Sequence, residues 1–198
     1  MQVTLFRRLR RFVWSLVLVA LLLPTITGAQ TTTETETVAV LKTNHGEMVF
    51  RFFAEDAPKT VAQIQRLIRE GWYDGKRFYR VVSGHVIQAG DLEGANASTV
   101  PGEFGAHPHV RGAVGLARDS DPDSGTTEIY ICHAPRPHLD GNYAVFGLLV
   151  DGFDVLDSIA ATEVEEKWIG DEGKVAFHEP KTPVIIESAK LEERPVSR

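Results

Sequence analysis

The sequence has little of what enzymes commonly use for covalent or metal chemistry. Its 198 residues contain one cysteine, Cys132, which excludes an internal disulfide and any CxxC zinc pair. This cysteine lies in the apolar run IYICHA, a setting typical of a buried, unreactive thiol. There is no HExxH sequence, and the stretch FYRVVSGHVIQAGD (78–91) holds no carboxylate dyad or cysteine nucleophile. We therefore expect no cofactor and no resident metal.

Positive charge is also scarce outside the first residues of the chain. The formal net charge is −6, and residues 1–29 carry four arginines and no acidic residue. Removing these four from the 21 lysines and arginines leaves 17 basic against 27 acidic residues, a balance of −10. Binding to phosphate backbones requires a basic face, so nucleic acid is not expected as a partner.

A long apolar run occurs only near the amino terminus. Arginines at positions 7, 8, 10 and 11 precede FVWSLVLVALLLP (12–24), which is short for a membrane span. Thr27 and Ala29 fit the −3 and −1 positions of a cleavage site. The pattern predicts a signal peptide over 1–29, export to the periplasm or the medium, and no stable membrane association after cleavage. An uncleaved membrane anchor is the alternative interpretation.

The remainder predicts one β-rich domain over 38–193, between a flexible polar leader (30–37) and a tail (194–198). Many short strands, two helices and no βαβ rhythm favour a closed β-barrel with the helices over its openings. The first helix is predicted with Asp56 as its cap and Gly71 at its end. Strand patterns occupy 38–42, 47–53, 112–117, 128–134, 143–150 and 184–193, a second helix lies near 153–160, the region 91–112 is predicted as loop, and 162–180 as a charged surface excursion.

Three blocks of the sequence resemble the cyclophilin family. WYDGKRFYRVVSGHVIQAGD is similar to the family stretch from Y-D-G through F-H-R to Q-x-G-D. GAVGLARDSDPDSGTTEIYICHA resembles G-x-x-x-M-A-R … S-Q-F-F-I, and HLDGNYAVFGLLVDGFDVLDSI resembles L-D-G-x-x-x-V-F-G-x-V … G-x-x-V. The similarity spans about residues 38 to 191 with the blocks in family order, which is specific. It implies a peptidyl-prolyl cis–trans isomerase on an eight-stranded antiparallel barrel capped by two helices, and we expect a monomer.

Such an isomerase needs no nucleophile, base or cofactor. A barrier of roughly 18–20 kcal/mol opposes rotation about an X–Pro bond because the planar amide is conjugated. In the twisted transition state the prolyl nitrogen becomes pyramidal and gains a lone pair, to which a fixed cationic donor can bind. The partners implied by the resemblance are proline-containing polypeptide segments of exported proteins, whose folding the enzyme would assist.

The resemblance also carries site roles onto individual residues. Arg80 falls in the catalytic arginine position, and Gln88 matches the glutamine that orients this arginine and meets the substrate. Without the resemblance, Arg80 is more simply a solvated or salt-bridged strand residue, and Leu139 fits ordinary core packing equally well. The substrate-binding positions are Val86, Tyr130 and Leu139 in the proline pocket, His85 on its wall, Ala117 and Arg118 along the peptide backbone, Glu128 in place of a glutamine, His138 at the rim, and Tyr143.

Three of these positions depart from the family pattern. Glu128 replaces a glutamine and, when ionised, only accepts hydrogen bonds, so it could pair with Arg80 and restrain it. His85 replaces a phenylalanine, and an imidazolium would resist desolvation as pH drops through about 6.5. Tyr130 replaces another phenylalanine and brings a hydroxyl that needs a partner. These changes lead to the hypothesis of a slow or narrowly selective isomerase.

Two other interpretations remain open from the sequence. A cyclophilin-like domain could grip proline-containing peptides, or act as a chaperone, with weak or no isomerase activity. Alternatively, His107 and His109, with His133 and His138 further along, could form a metal site if they converge. Asn96 begins a glycosylation sequon, which matters only in a host that glycosylates exported chains.

Overall fold

The computed structural model describes residues 34–90, 98–169 and 175–196. The predicted signal peptide, the first residues of the predicted leader, Asn96 and the last two residues of the chain lie outside these ranges. None of the helices within them is long and apolar enough to cross a bilayer.

Most of the described chain forms one curled antiparallel sheet. The strands are β1 Thr35–Thr43, β2 Gly46–Phe52, β3 Arg77–Val82, β4 Val86–Gly90, β5 Ala113–Leu116, β6 Ile129–Cys132, β7 Val145–Asp151, β8 Val164–Ile169, β9 Val175–Pro180 and β10 Ile186–Pro195. Eight of them lie side by side in the order β10-β1-β2-β7-β5-β6-β4-β3, and β8 and β9 form a separate two-stranded sheet.

Hydrogen bonds join the two edges of this sheet. The backbone N–H of Phe78, in β3, donates to the carbonyl of Val184 over 2.9 Å, and Ile186 N–H donates to Lys76 O over 2.8 Å. These bonds lie where β10 begins and leave the barrel nearly closed. The predicted fold class, an eight-stranded antiparallel barrel with two helices, is confirmed.

Alternation along the strands separates an interior face from an outward face. In β4, Ile87 and Ala89 belong to the interior cluster, whereas Val86 and Gln88 face outward. The interior also takes up the apolar faces of both helices, α1 Pro58–Arg69 and α2 Phe153–Ala160. Full burial of each large aliphatic or aromatic side chain contributes about 1.5–3 kcal/mol, so this cluster is the main stabilising feature of the barrel.

The predicted cap of α1 is wrong. Asp56 does not cap the helix, whose N-cap residue is Ala57 without a side-chain hydrogen bond. Instead Glu103, from the long loop before β5, accepts hydrogen bonds from the backbone N–H groups of Lys59 (3.1 Å) and Thr60 (2.9 Å) and from the Thr60 hydroxyl (2.8 Å). A carboxylate is favourable there because the first N–H groups of a helix have no intrahelical acceptor.

Two predicted boundaries also change. The last residues of the predicted flexible leader belong to β1, which begins at Thr35, and β10 extends to Pro195, into the predicted tail. Thr35 pairs with Pro195 across the two strands. These residues are polar because the strand ends are exposed, which the sequence alone does not distinguish from disorder. The charged excursion over 162–180 contains the hairpin of β8 and β9.

Candidate active site

A pocket of about 240 Å³ opens on the outward face of the barrel. Beneath it lies a second apolar cluster that includes Val86, Tyr130 and Val145, separate from the barrel interior. Glu128 and His138 are the two predicted site residues that do not line the pocket. The lining residues are Arg80, His85, Val86, Gln88, Ala117, Arg118, Tyr130, Leu139 and Tyr143.

An irregularity in strand pairing directs Arg80 toward this pocket. Phe78 pairs with Ala89 and Arg80 with Gln88, so Tyr79 is an extra residue in β3. Such a bulge allows two consecutive side chains to lie on one face of a sheet. Tyr79 and Arg80 both form hydrogen bonds with Gln88 on the outward face, while Phe78 belongs to the interior. The sequence analysis did not identify Tyr79 as a residue of the site. The interior residues Phe78 and Val81 are three positions apart rather than two, and this break in the alternation was the signal that could have revealed the bulge.

Gln88 holds the guanidinium of Arg80. The Nη1 of Arg80 donates to Gln88 Oε1 over 3.0 Å. The Nε2 of Gln88 donates to Glu128 Oε2 (2.8 Å) and to the hydroxyl oxygen of Tyr79 (2.5 Å), and that hydroxyl donates to Glu128. Burial, with the nearby Glu128 carboxylate, raises the pKa of Tyr79, which therefore remains a proton donor.

The expected pairing of Glu128 with Arg80 is contradicted. Among the described residues, Glu128 accepts hydrogen bonds from Tyr79 and Gln88 and forms no ion pair with Arg80. The reason is local geometry, since the bulge brings the Tyr79 hydroxyl to the carboxylate and Gln88 lies between Glu128 and the guanidinium. The donor groups of Arg80 are therefore not occupied by this carboxylate.

The Tyr130 hydroxyl finds its partner in a buried histidine. Tyr130 Oη lies 2.7 Å from His109 Nε2, and His109 Nδ1 lies 2.7 Å from Asp140 Oδ1. The same carboxylate oxygen accepts the backbone N–H of His109 over 2.7 Å, and these bonds lower the pKa of Asp140. With a proton on Nδ1 facing Asp140, Nε2 of His109 accepts a hydrogen bond from the Tyr130 hydroxyl. Gly115 provides the space for the phenol, because a Cβ there would overlap it.

His85 forms a wall of the pocket in its neutral state. Burial lowers its pKa to about 4, with further contributions from the charges of Arg80, Arg136 and His138. The rings of His85 and His138 stack with centroids 5.9 Å apart, and His138 is exposed and does not line the pocket. The expected weakening of activity near pH 6.5 is therefore displaced to lower pH, because a desolvated imidazole among cations resists protonation.

The guanidinium of Arg118 is fixed by the backbone and by aromatic rings. Its Nε and Nη2 donate to the carbonyl of Asn142 over 3.0 and 2.8 Å. Its central carbon lies 4.7 Å from the centre of the Tyr143 ring and 5.5 Å from that of Phe104. Arg118 therefore forms a rigid side of the pocket, together with the stacked Tyr143.

Comparison with known proteins agrees with the barrel fold. The model of the family described as cyclophilin type peptidyl-prolyl cis-trans isomerase/CLD matches residues 38–191. The chain belongs to the cyclophilin family. The predicted family and the enzyme class, a peptidyl-prolyl cis–trans isomerase, are confirmed.

Relatives of this cyclophilin include isomerases of two bacteria. A probable peptidyl-prolyl cis-trans isomerase of Brucella abortus is 36% identical over 140 residues, covering 63% of this chain and 71% of the relative. A peptidyl-prolyl cis-trans isomerase of Synechococcus elongatus is 37% identical over 119 residues, covering 58% of this chain and 81% of the relative.

Solved cyclophilin structures share the fold. A Cryptosporidium parvum cyclophilin-type isomerase, crystallised in the presence of the dipeptide Ala-Pro, superposes with a TM-score of 0.67 at 24% identity, covering 79% of this chain and 99% of that one. A cyclophilin from Hirschia baltica gives a TM-score of 0.63 at 23% identity, covering 79% and 76%. At these identities the likeness concerns the fold alone.

The histidines of the possible metal site have other partners in this cyclophilin. His107 stacks on Phe53 with ring centroids 3.7 Å apart, and its Nε2 lies 2.8 Å from Asp56. His133 accepts the N–H of Gly84 at Nδ1 over 2.8 Å. Within the described ranges, no group of three or more His, Cys, Asp or Glu residues is placed to hold a metal ion. Cys132 is fully buried, which raises its pKa to about 12 and agrees with the predicted inert thiol.

Proposed function

We propose that this cyclophilin catalyses rotation about X–Pro bonds by donation from Arg80 to the prolyl nitrogen. The observation that carries the proposal is the location of Arg80. It is held by Gln88 at the wall of a pocket whose other lining residues include Val86, Leu139 and Tyr130. An apolar floor of this kind suits a pyrrolidine ring, and the guanidinium supplies the nearby fixed donor.

Catalysis in this scheme depends on a difference between two bound states. The nitrogen of a planar amide is a poor acceptor because its lone pair is delocalised into the carbonyl. Rotation localises the pair, so a guanidinium beside the nitrogen interacts more strongly with the twisted amide than with either planar isomer. A neutral His85 keeps the wall opposite the ring free of charge. No bond is broken, and no proton needs to leave the protein.

The deciding experiment compares Arg80→Ala with the parent in a protease-coupled assay on Ala-Pro and Gly-Pro peptides. Loss of one preorganised donor is expected to lower kcat/KM by about 100-fold. Arg66→Ala is the matched control, because Arg66 is exposed on α1 and, among the described residues, forms its ion pair with Glu70 one helical turn away. We expect the control to retain the parental rate.

Equal rates for Arg80→Ala and the parent would remove the proposed mechanism. A parent that binds proline peptides without accelerating their isomerisation would instead favour the binding-module interpretation. One argument for a slow enzyme was that Glu128 would pair with Arg80. This argument no longer holds, since Glu128 bonds to Gln88 instead.

We also propose that the chain is exported and acts as a monomer on proline-containing segments of exported proteins. Support comes from the basic and apolar character of residues 7–24 and the small residues that follow. Expression of the full chain, cell fractionation and amino-terminal sequencing would test it, with a new terminus at Gln30 as the expected result. An intact terminus in the membrane fraction would indicate the anchor, and sedimentation would give the oligomeric state.

A further inference from the structure

The amide of Gln88 lies among three groups whose chemistry determines which way it faces. Both hydrogens of its Nε2 have acceptors, Glu128 Oε2 at 2.8 Å and the Tyr79 hydroxyl oxygen at 2.5 Å. Its Oε1 accepts from Arg80 over 3.0 Å. Because Tyr79 gives its own proton to Glu128, both amide hydrogens and the amide oxygen of Gln88 face complementary partners.

The acceptor-only character of a carboxylate makes this orientation unique. Rotating a glutamine amide by half a turn changes its shape very little but exchanges its oxygen and nitrogen. In the rotated state the oxygen of Gln88 would face the Glu128 carboxylate, and its NH₂ group would face the guanidinium of Arg80. Two acceptors and two donors would then oppose each other in a half-buried site, where unmade hydrogen bonds are costly. A glutamine at position 128 would permit both orientations.

The backbone is shaped to bring these groups together. The bulge in β3 places Tyr79 on the same face as Arg80. On β4, Gly90 has a φ of +142°, and a Cβ there would lie 2.8 Å from the Cα and the Cγ of Glu128. Glycine at position 90 thus allows Glu128 to approach. Neither Tyr79 nor Glu128 is among the residues that line the pocket.

We propose that Glu128 and Tyr79 are positioning residues that fix the Gln88 amide with its oxygen toward Arg80, and so fix the direction of the guanidinium. This inference rests on the proposed role of Arg80. It reverses the restraining effect expected for Glu128 from the sequence: the carboxylate supports the arginine through the glutamine between them.

The first test is the isosteric variant Glu128→Gln. We expect kcat to fall about five- to tenfold, the equivalent of roughly one net hydrogen bond, with KM changed less than about twofold. Tyr79→Phe removes the second acceptor and is expected to lower kcat in the same range. Glu179→Gln is the matched control, because Glu179 is also a largely buried carboxylate, bound to Arg77 away from the pocket. Unchanged or raised kcat in both Glu128→Gln and Tyr79→Phe would overturn the proposal.

The second test separates orientation from simple charge. In a Gln88→Ala background there is no amide to orient, so Glu128→Gln should change kcat by less than about twofold. If the loss caused by Glu128→Gln persists undiminished in that background, the carboxylate acts on Arg80 directly and the proposal is wrong.

NMR of the Gln88 side chain tests the orientation of its amide independently of whether Arg80 is catalytic. The side-chain ¹H–¹⁵N resonances of Gln88 report on both amide hydrogens. In the parent, and equally in Arg80→Ala, we expect both hydrogens to be protected from exchange, and Glu128→Gln should remove the protection. Should Arg80→Ala leave activity unchanged, the Gln88 resonances would still show whether the amide is locked. Unprotected hydrogens in the parent would exclude the lock.

Discussion

We expect the imidazole of His85 to set the acid limit of activity. Its pKa of about 4 keeps the ring neutral well below the ordinary value for histidine. We expect isomerase activity to be constant above about pH 6.5 and to fall as pH approaches 4, because the imidazolium resists desolvation against proline. His85→Phe should lack this fall. Exchange NMR on a proline peptide measures both profiles without a protease, and identical profiles for parent and variant would contradict the prediction.

The same group affects stability in a definite direction. Since the folded-state pKa lies below the unfolded value of about 6.5, the contribution of neutral His85 is complete above that pH and is lost as pH falls toward about 4. The denaturation midpoint of the parent should decline over this interval more than that of His85→Phe. His45→Phe, at a half-buried turn residue that contacts Ser158 away from the pocket, should follow the parent. Parallel curves for parent and His85→Phe would rule this out.

Tyr130 lines the pocket floor and its hydroxyl forms a hydrogen bond with the buried His109. Tyr130→Phe would leave His109 Nε2 buried without its 2.7 Å partner, which costs about 1–3 kcal/mol. Tyr143→Phe is the matched control, because among the described residues the Tyr143 hydroxyl has no hydrogen-bond partner. Urea denaturation of the two variants should separate them clearly. A neutral effect of Tyr130→Phe would show that water replaces the phenol.

At the scale of elements, α1 depends on a residue distant in sequence. Glu103 accepts three hydrogen bonds at the first turn of the helix, two of them from backbone N–H groups. Glu103→Ala should lower the free energy of unfolding by about 1–2 kcal/mol, as loss of a good cap does. Glu55→Ala, at an exposed position just before the helix, should change it little. Equal midpoints for the two variants in chemical denaturation would refute the capping role.

Features that depend on local sequence patterns were predicted, and features that depend on contacts between distant residues were missed. The hairpin of β1 and β2, and α2 at 153–160, depend on local alternation and periodicity, and they were predicted close to their observed bounds. The cap supplied by Glu103 is 43 residues from Thr60, and its partner could not be identified from the sequence around the helix. The bulge at Tyr79 depends on pairing with β4, so the family resemblance identified Arg80 but not the neighbouring Tyr79.

At the scale of the whole molecule, the three sequence blocks that resemble cyclophilins predicted both the barrel topology and the residues that line the pocket. Three separated stretches of sequence contribute β3, β4, β5, β6 and β7, and the antiparallel sheet brings them together. Most of the residues assigned by position therefore converge on one pocket, although their roles remain predictions. The buried histidine behind Tyr130 was considered only as a metal ligand, because its pairing with a phenol requires knowledge of the folded chain.

The single, fully buried Cys132 gives this molecule a built-in reporter of global opening. A thiol whose pKa is raised to about 12 by burial should react with an alkylating probe only when the barrel comes apart. The logarithm of the labelling rate, monitored by mass spectrometry, should therefore fall linearly with the free energy of unfolding, and labelling should slow further when a saturating proline peptide occupies the pocket. Rapid labelling of the native chain would mean that the strands around β6 open by local unfolding while the rest of the barrel stays folded.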